Sequence, residues 1–231
     1  MILAAGRGER MRPLTDVTPK PLLDVQGKAL MQWPMEALAS GGFTELVVNT
    51  AWLGEQIPER FGERYQDSTL AYSHEGRDFG GALETAGGIV RALPLLGDMF
   101  WVVAGDVFAP DFVFTQGSVD RFAASGRLAH LWLVPNPAHN PKGDFGIRSD
   151  GTALSDAAQK YTFSTIALYR AELFAPPYCA IPPGNVQGVK AALAPLLRTA
   201  MDAGRVSAGM YRGQWADVGT PDRLRELNRS R

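Results

Sequence analysis

The chain has 231 residues, 45% hydrophobic and 20% charged, and its 23 Lys and Arg nearly balance 24 Asp and Glu for a net charge of -1. That composition excludes a disordered chain, and the balance argues against nucleic acid or an anionic membrane as partner, because neither is drawn at long range to a near-neutral surface. The single cysteine, Cys179, excludes an internal disulfide and a thiolate metal cluster, which fits a reducing cytoplasm.

Taken in chain order, residues 2–5 form a short apolar strand ended by Gly6. No basic stretch precedes it, so neither a signal peptide nor an anchor is expected. The pattern then predicts a helix over 28–39 stopped by Gly41-Gly42, a β-branched strand over 45–49 and a short helix over 56–61. A strand over 70–73 and a helix over 85–93 follow, the latter ended by Pro94. Residues 100–104 read as a buried strand ended by Gly105-Asp106, 113–124 as a helix and 128–134 as a strand ended by Pro135. This alternation predicts an α/β, Rossmann-like fold with a mixed, mostly parallel sheet flanked by helices. After Pro135 a proline-rich loop leads to a strand over 162–169, a helix over 186–203 with Pro195 at a break or first turn, and short strands over 206–211 and 215–218. A terminal helix over 221–228 takes Thr220 as its cap and Pro221 as its first residue. No hexapeptide repeat is present, so no C-terminal β-helix is expected.

The first strand runs into Gly6-Arg7-Gly8-Glu9-Arg10-Met11-Arg12-Pro13-Leu14-Thr15 and then Pro19-Lys20-Pro21-Leu22. Two glycines let backbone N–H groups turn toward an anion, and Arg7, Arg10, Arg12 and Lys20 outnumber Glu9 and Asp16. Cations beside a Gly-rich turn at the carboxyl end of a strand suit a polyphosphate, although a solvated surface loop has the same ingredients. A dinucleotide fingerprint needs a glycine where Met11 stands and an acid where the second strand ends in Asn49. A nicotinamide oxidoreductase is therefore disfavoured, and the P-loop string is absent.

Asp106 emerges at the carboxyl edge of a buried strand, where a carboxylate suits Mg²⁺ among waters and phosphate oxygens, or a cap on the turn before Pro110. Asp217, beside Val218-Gly219, reads by itself as a turn residue. Glu84-Thr85-Ala86-Gly87-Gly88 suits a capped helix start, or a turn that admits a nucleobase close to the backbone. Gly143-Asp144-Phe145 offers a carboxylate to sugar hydroxyls or to solvent. His74, His130 and His139 match no metal spacing, and His130 alternates within an apolar strand as a core residue would. Trp33, Trp52, Trp101 and Trp132 fall on element faces and read as core.

The first loop with Pro19-Lys20-Pro21 resembles the sugar-1-phosphate nucleotidyltransferases, and the resemblance covers nearly the whole chain. Five further strings are most similar to the branch that transfers uridylyl groups to N-acetylmuramic acid α-1-phosphate in cell-wall recycling. They are Leu83-Glu84-Thr85-Ala86-Gly87-Gly88-Ile89, Gly143-Asp144-Phe145, Tyr161-Thr162-Phe163-Ser164, Ala194-Pro195-Leu196-Leu197-Arg198 and Tyr211-Arg212-Gly213-Gln214-Trp215-Ala216-Asp217-Val218-Gly219-Thr220. The resemblance implies one nucleotidyltransferase domain over 1–231, with a nucleotide-binding half (1–135) and a sugar-binding half (136–231). It implies a cytoplasmic enzyme that joins a nucleoside triphosphate to a sugar-1-phosphate, releases pyrophosphate and uses Mg²⁺. Without the β-helix by which some relatives trimerise, a monomer or small homo-oligomer is expected.

By the same resemblance, Arg10 and Lys20 are catalytic cations, and Ala4, Ala5, Gly6, Arg7, Gly8, Glu84, Thr85 and Gly87 meet the nucleotide. Asp106 and Asp217 hold the metal, and Gly143, Asp144 and Thr162 the sugar. Lys160 stands in Gln159-Lys160-Tyr161, which departs from the Glu-Lys-Pro string that carries a sugar-phosphate lysine in relatives. The attacking oxygen belongs to a phosphate already ionised at neutral pH, so no general base is required and no Ser/His constellation is found. The rival substrates are mannose-1-phosphate with GTP, or another sugar-1-phosphate with UTP. A regulatory subunit that senses nucleotide sugars would be expected to lose Lys20, Arg10 or one aspartate, and none is lost.

Overall fold

The computed structural model describes residues 1–229. Its strands in chain order are β1 (Ile2–Ala4), β2 (Asp24–Val25), β3 (Lys28–Ala29), β4 (Glu45–Thr50), β5 (Arg64–Tyr65), β6 (Ser68–His74), β7 (Met99–Ala104), β8 (Val107–Phe108), β9 (Ala129–Val134), β10 (Gly146–Ile147), β11 (Ala153–Leu154), β12 (Thr162–Arg170), β13 (Val206–Met210) and β14 (Ala216–Asp217). The helices are α1 (Gln32–Ser40), α2 (Gln56–Phe61), α3 (Glu75–Phe79), α4 (Glu84–Ala92), α5 (Gln116–Ser125), α6 (Leu193–Asp202) and α7 (Pro221–Arg229). The architecture is α/β with a mixed, mostly parallel sheet flanked by helices, and the described residues contain no β-helix.

Two compact units divide the chain. The first comprises Met1–Leu83, Val103–Phe114 and the chain from Gln214; the second comprises Glu84–Val102 and Thr115–Gly213. This packing division interleaves along the sequence, because the chain leaves the first unit at Leu83 and returns within β7. In the first unit β1 is central. Ile2 pairs in parallel with Val48 and Val103, and Leu3 with Asn49 and Ala104. β6 extends β4 in parallel and β5 closes the edge antiparallel. Ile2, Val48 and Val103 are buried, which is why these strands read as continuous apolar runs. In the second unit β9 lies between antiparallel β12 and parallel β13. A register shift in β12 between Phe163 and Ala167 places Thr165 at a φ of 61°, a left-handed value that is strained for a β-branched residue.

Three of the expected helices start later than the periodic reading places them. The helix expected over 28–39 begins at Gln32, because Lys28–Ala29 pairs antiparallel with Asp24–Val25 across the Gly27 turn. The helix expected over 113–124 begins at Gln116: Phe112 and Phe114 are buried at alternate positions of an extended segment, and the Thr115 hydroxyl accepts the Ser118 N–H at 3.1 Å as a cap. The helix expected over 186–203 is confined to Leu193–Asp202. Asn185 prevents its earlier start by clasping Val189, its Oδ1 accepting the Val189 N–H at 2.9 Å while its Nδ2 donates to the Val189 carbonyl at 2.8 Å. Pro195 falls in the first turn, where a missing N–H is harmless.

Candidate active site

In the first unit, residues 5–8 leave β1 and lead into short 3-10 turns at Glu9–Met11, Leu14–Asp16 and Lys20–Leu22. Gly8 has a φ of +66°, and a Cβ there would lie 3.0 Å from Thr15 Cγ2 and 3.3 Å from Lys20 Cβ, so conformation and contact both require glycine. The Thr15 hydroxyl donates to the Gly8 carbonyl at 2.8 Å and ties the loop shut. Arg7 is held within the loop. It donates to the Thr15 carbonyl at 2.8 Å, pairs with Asp16 at 2.7 Å and stacks on the Trp52 ring at 3.7 Å. Trp52 is therefore part of the loop support and not of the core, while Trp33 and Trp101 pack as expected. Beside Gly6 the space is open: a Cβ there would meet nothing within 4 Å.

A short ribbon makes the two metal-candidate residues neighbours along the backbone. β8 pairs antiparallel with β14, Val107 opposite Asp217, and the Val218 N–H donates to the Asp106 carbonyl at 3.0 Å. Beneath the ribbon Met11, Leu23, Val25, Leu30, Phe108, Val218 and Leu224 form one buried cluster. Burial of Met11 and Leu224 brings the Arg10 guanidinium and helix α7 to the same side, and a Cβ on Gly219 would lie 3.4 Å from Asp217 Oδ2 and 3.5 Å from Arg10 Nη2.

Each carboxylate already has a cation. Lys20, a buried residue, pairs with Asp106 at 2.5 Å. Arg223 donates to both Asp217 oxygens at 2.9 and 3.0 Å. Arg10 is exposed and, among the described residues, makes no hydrogen bond or ion pair. Each half-buried carboxylate offers hard oxygen donors, the kind a divalent cation takes when phosphate oxygens and waters complete its shell. Among the described residues no group of three or more His, Cys, Asp or Glu side chains is gathered for a metal.

Glu84 opens α4 at a φ of +60°, a strained value for a non-glycine residue. The Ala86 and Gly87 N–H groups both donate to the Ala191 carbonyl, at 2.9 and 3.1 Å, and the Asn185 amide donates to the Gly87 carbonyl at 3.1 Å. The Gly87 peptide groups expected to meet a base are thus engaged by the 185–191 segment, which leaves Glu84, Thr85 and the bare Gly87 Cα.

In the second unit the sugar-candidate residues support one another. Asp144 Oδ2 accepts the Phe163 N–H at 2.8 Å, and Asn140 Nδ2 donates to Asp144 and to Thr162 Oγ1 at 3.2 Å each. Thr162 donates to Asn136 Oδ1 at 3.0 Å, and Asn136 Nδ2 donates to the Lys160 carbonyl at 2.9 Å. A Cβ on Gly143, at a φ of +64°, would lie 2.7 Å from the Lys160 carbonyl carbon, so this loop too requires glycine. Lys160 itself pairs with Asp156 at 2.8 Å. His130 is a structural residue, within 2.9 Å of Ser207 Oγ and edge-on to Trp132.

Sequence reasoning missed Arg223, Asn136, Asn140 and the buried pair Asn49 and Glu75. Only Asn49 carried a local signal, a polar residue inside a β-branched run.

Residues 1–155 match the family model described as nucleotidyl transferase. An N-acetylmuramate alpha-1-phosphate uridylyltransferase of Neisseria meningitidis serogroup B is 48% identical over 98% of this chain and 95% of its own length. A protein of the same description from Caulobacter vibrioides is 28% identical over 96% of this chain and 91% of its own. Among solved structures, a Bacillus anthracis chain described as a glucose-1-phosphate thymidylyltransferase, in complex with a sucrose, superimposes with a TM-score of 0.81 over 99% of this chain and 92% of that one, at 20% identity, a likeness of fold. From the family match, the near full-length identity and the shared fold together, the chain belongs to the nucleotidyl transferase family and is a sugar-1-phosphate nucleotidyltransferase.

Proposed function

We propose that the chain transfers the uridylyl group of UTP to N-acetylmuramic acid α-1-phosphate, giving UDP-N-acetylmuramic acid and pyrophosphate in the cytoplasm. The observation that carries this reading is the 48% identity to the Neisseria relative over 98% of the chain. A phosphate oxygen of the sugar-1-phosphate bonds to the α-phosphorus of UTP while the bond from that phosphorus to the β-phosphate breaks and pyrophosphate leaves. No proton moves, so the groups required are cations and carboxylates.

Arg10, which has no partner among the described residues, and the backbone of residues 6–10 hold the β- and γ-phosphates and neutralise the leaving pyrophosphate. Lys20 turns from Asp106 to bridge the sugar phosphate and the α-phosphate. Asp106 and Asp217, with their oxygens released by Lys20 and Arg223, would hold Mg²⁺, which would supply Lewis acidity at the α-phosphate. Ala4, Ala5, Gly6 and Gly8 meet the nucleotide through the main chain, in the loop whose shape Arg7 maintains. Glu84, Thr85 and the Gly87 Cα take the base and ribose. Gly143, Asp144 and Thr162 hold the sugar, so residues 1–135 serve the nucleotide and 136–231 the sugar.

A matrix of UTP, dTTP, CTP and GTP against N-acetylmuramic acid α-1-phosphate, N-acetylglucosamine-1-phosphate, glucose-1-phosphate and mannose-1-phosphate, read by pyrophosphate release, tests the proposal. The first member of each series should give the highest kcat/KM. A site built for the lactyl carboxylate should reject N-acetylglucosamine-1-phosphate by up to about 10⁴-fold. Preference for GTP with mannose-1-phosphate would overturn the substrate assignment.

A further inference from the structure

We infer that Glu75, acting through Asn49, is a positioning residue that fixes Ala4, where β1 enters the residue 4–8 loop, relative to Leu83, and thereby sets the affinity for the uridine nucleotide. The inference rests on the nucleotide reading above. Glu75 opens α3 and has no exposed surface. Its Oε1 accepts the Asn49 Nδ2–H at 2.7 Å, and its Oε2 accepts the Leu83 N–H at 2.7 Å. Asn49, 3% exposed on β4, turns its own Oδ1 to the Ala4 N–H at 2.8 Å.

One line of hydrogen bonds therefore runs from Ala4 through Asn49 and Glu75 to Leu83. Its ends are significant. Ala4 is the last residue of β1 before the glycine loop, and Leu83 is the residue before Glu84. The carboxylate also has little freedom to sit elsewhere. A Cβ on Gly76 would lie 2.4 Å from the Ala51 carbonyl oxygen, so α3 is pressed against the chain that follows β4. Burying a carboxylate costs free energy that an apolar side chain would not, and here one oxygen holds Asn49, which fixes the Ala4 end of the proposed nucleotide loop, and the other holds Leu83.

The polarity of the line is directional. Ala4 and Leu83 both donate, so the two side chains between them must accept at both ends and share one hydrogen between them. Glu75→Gln breaks this. If the introduced side chain accepts from Leu83, its amide faces the Asn49 amide, donor against donor; if Asn49 flips to accept from it, Ala4 loses its acceptor. Asn49→Asp combined with Glu75→Gln restores the three bonds of this line with the polarity of the middle link reversed. The new carboxylate on β4 then accepts from Ala4 and from the new amide on α3, and the carbonyl of that amide accepts from Leu83.

The test measures UTP affinity by calorimetry with Mg²⁺ present, and KM for each substrate by pyrophosphate release, on the full chain. Melting temperature is followed in parallel. Glu75→Gln should weaken UTP binding and raise its KM by about 10-fold or more, as displacement of a binding segment by a fraction of an ångström does, while KM for the sugar phosphate stays within about 2-fold. The double variant should return both UTP values to within about 3-fold of the wild type. A folded Glu75→Gln protein with unchanged UTP affinity would overturn the inference. So would a double variant that regains its melting temperature without regaining UTP affinity, since that pattern marks a purely structural pair. If the single variant does not fold, the double variant carries the test alone. Wild-type protein that binds UTP but turns over no sugar phosphate would count against the proposed reaction and leave the positioning role standing; wild-type protein that does not bind UTP would overturn both.

Discussion

The loop that follows β1 and the loop between β9 and β10 are both glycine-dependent, both carry candidate ligand residues, and are built in opposite ways. In the first, Arg7 and Thr15 hold the shape while Arg10 is left without a partner among the described residues and open space lies beside Gly6. In the second, Asp144, Asn136 and Asn140 are committed, with Thr162 of β12, to one another. The first loop separates its scaffold from its reactive cations, as befits a site that must neutralise charge appearing only during reaction. The second spends its polar groups on preorganisation, so what it offers a sugar is a fixed surface whose remaining lone pairs and main-chain groups are already oriented.

The sharpest way to break this comparison is at the ribbon. Asp106→Asn and Asp217→Asn should each lower kcat by about 10²- to 10³-fold, with the wild type silenced by EDTA and restored by Mg²⁺. Full activity of either variant after metal is restored would remove the metal assignment. Next in size, Lys20→Ala should lower kcat by about 10²-fold with a smaller change in the KM for UTP, because its contact strengthens as charge builds at the α-phosphate. The paired Lys20→Ala and Asp106→Asn variant should lose less than the product of the two losses, since each side chain holds the other. A change confined to KM would make Lys20 an anchor.

In the second loop the expected pattern is the reverse. Asp144→Asn should destabilise the protein by about 1–3 kcal/mol by leaving the Phe163 N–H or the Asn140 amide poorly paired. KM for the sugar phosphate should rise more than KM for UTP. Denaturant unfolding together with both KM values decides the point; an unaltered unfolding midpoint would show that the loop is not preorganised through this carboxylate.

The smallest effect on turnover concerns acid. Burial, with the Arg121 charge as a second cause, lowers the His130 pKa from 6.5 to about 4. Above pH 6.5 the ring is neutral in both folded and unfolded chains. As pH falls from 6.5 toward 4 the unfolded chain takes up a proton that the folded chain refuses, so stability declines across that window. Amide exchange in β9 and β13 should therefore accelerate in that range before exchange in β1 and β4, and His130→Gln should flatten the dependence.

Much of this protein was determined by the sequence alone. The strand–helix alternation, the glycine-and-arginine loop and the strings shared with sugar-1-phosphate nucleotidyltransferases are all local; local spacing specifies element type, and the shared strings mark Lys20, Asp106 and Asp217 as candidates. Even the departures have local causes visible afterwards, such as the Asn185 clasp that shortens α6. What the tertiary structure decided is which of these residues share a neighbourhood. The β8–β14 register sets Asp217 beside Val107 and so beside Asp106. The buried cluster under that ribbon brings Arg10 near Gly219, beside the carboxylate that Arg223 holds, and parallel pairing of β1 with β4 lets Asn49 reach Ala4 and Glu75. No periodicity encodes such meetings. They arise when strands distant in sequence are paired and their apolar faces buried, and only then do the partners of a charged side chain exist.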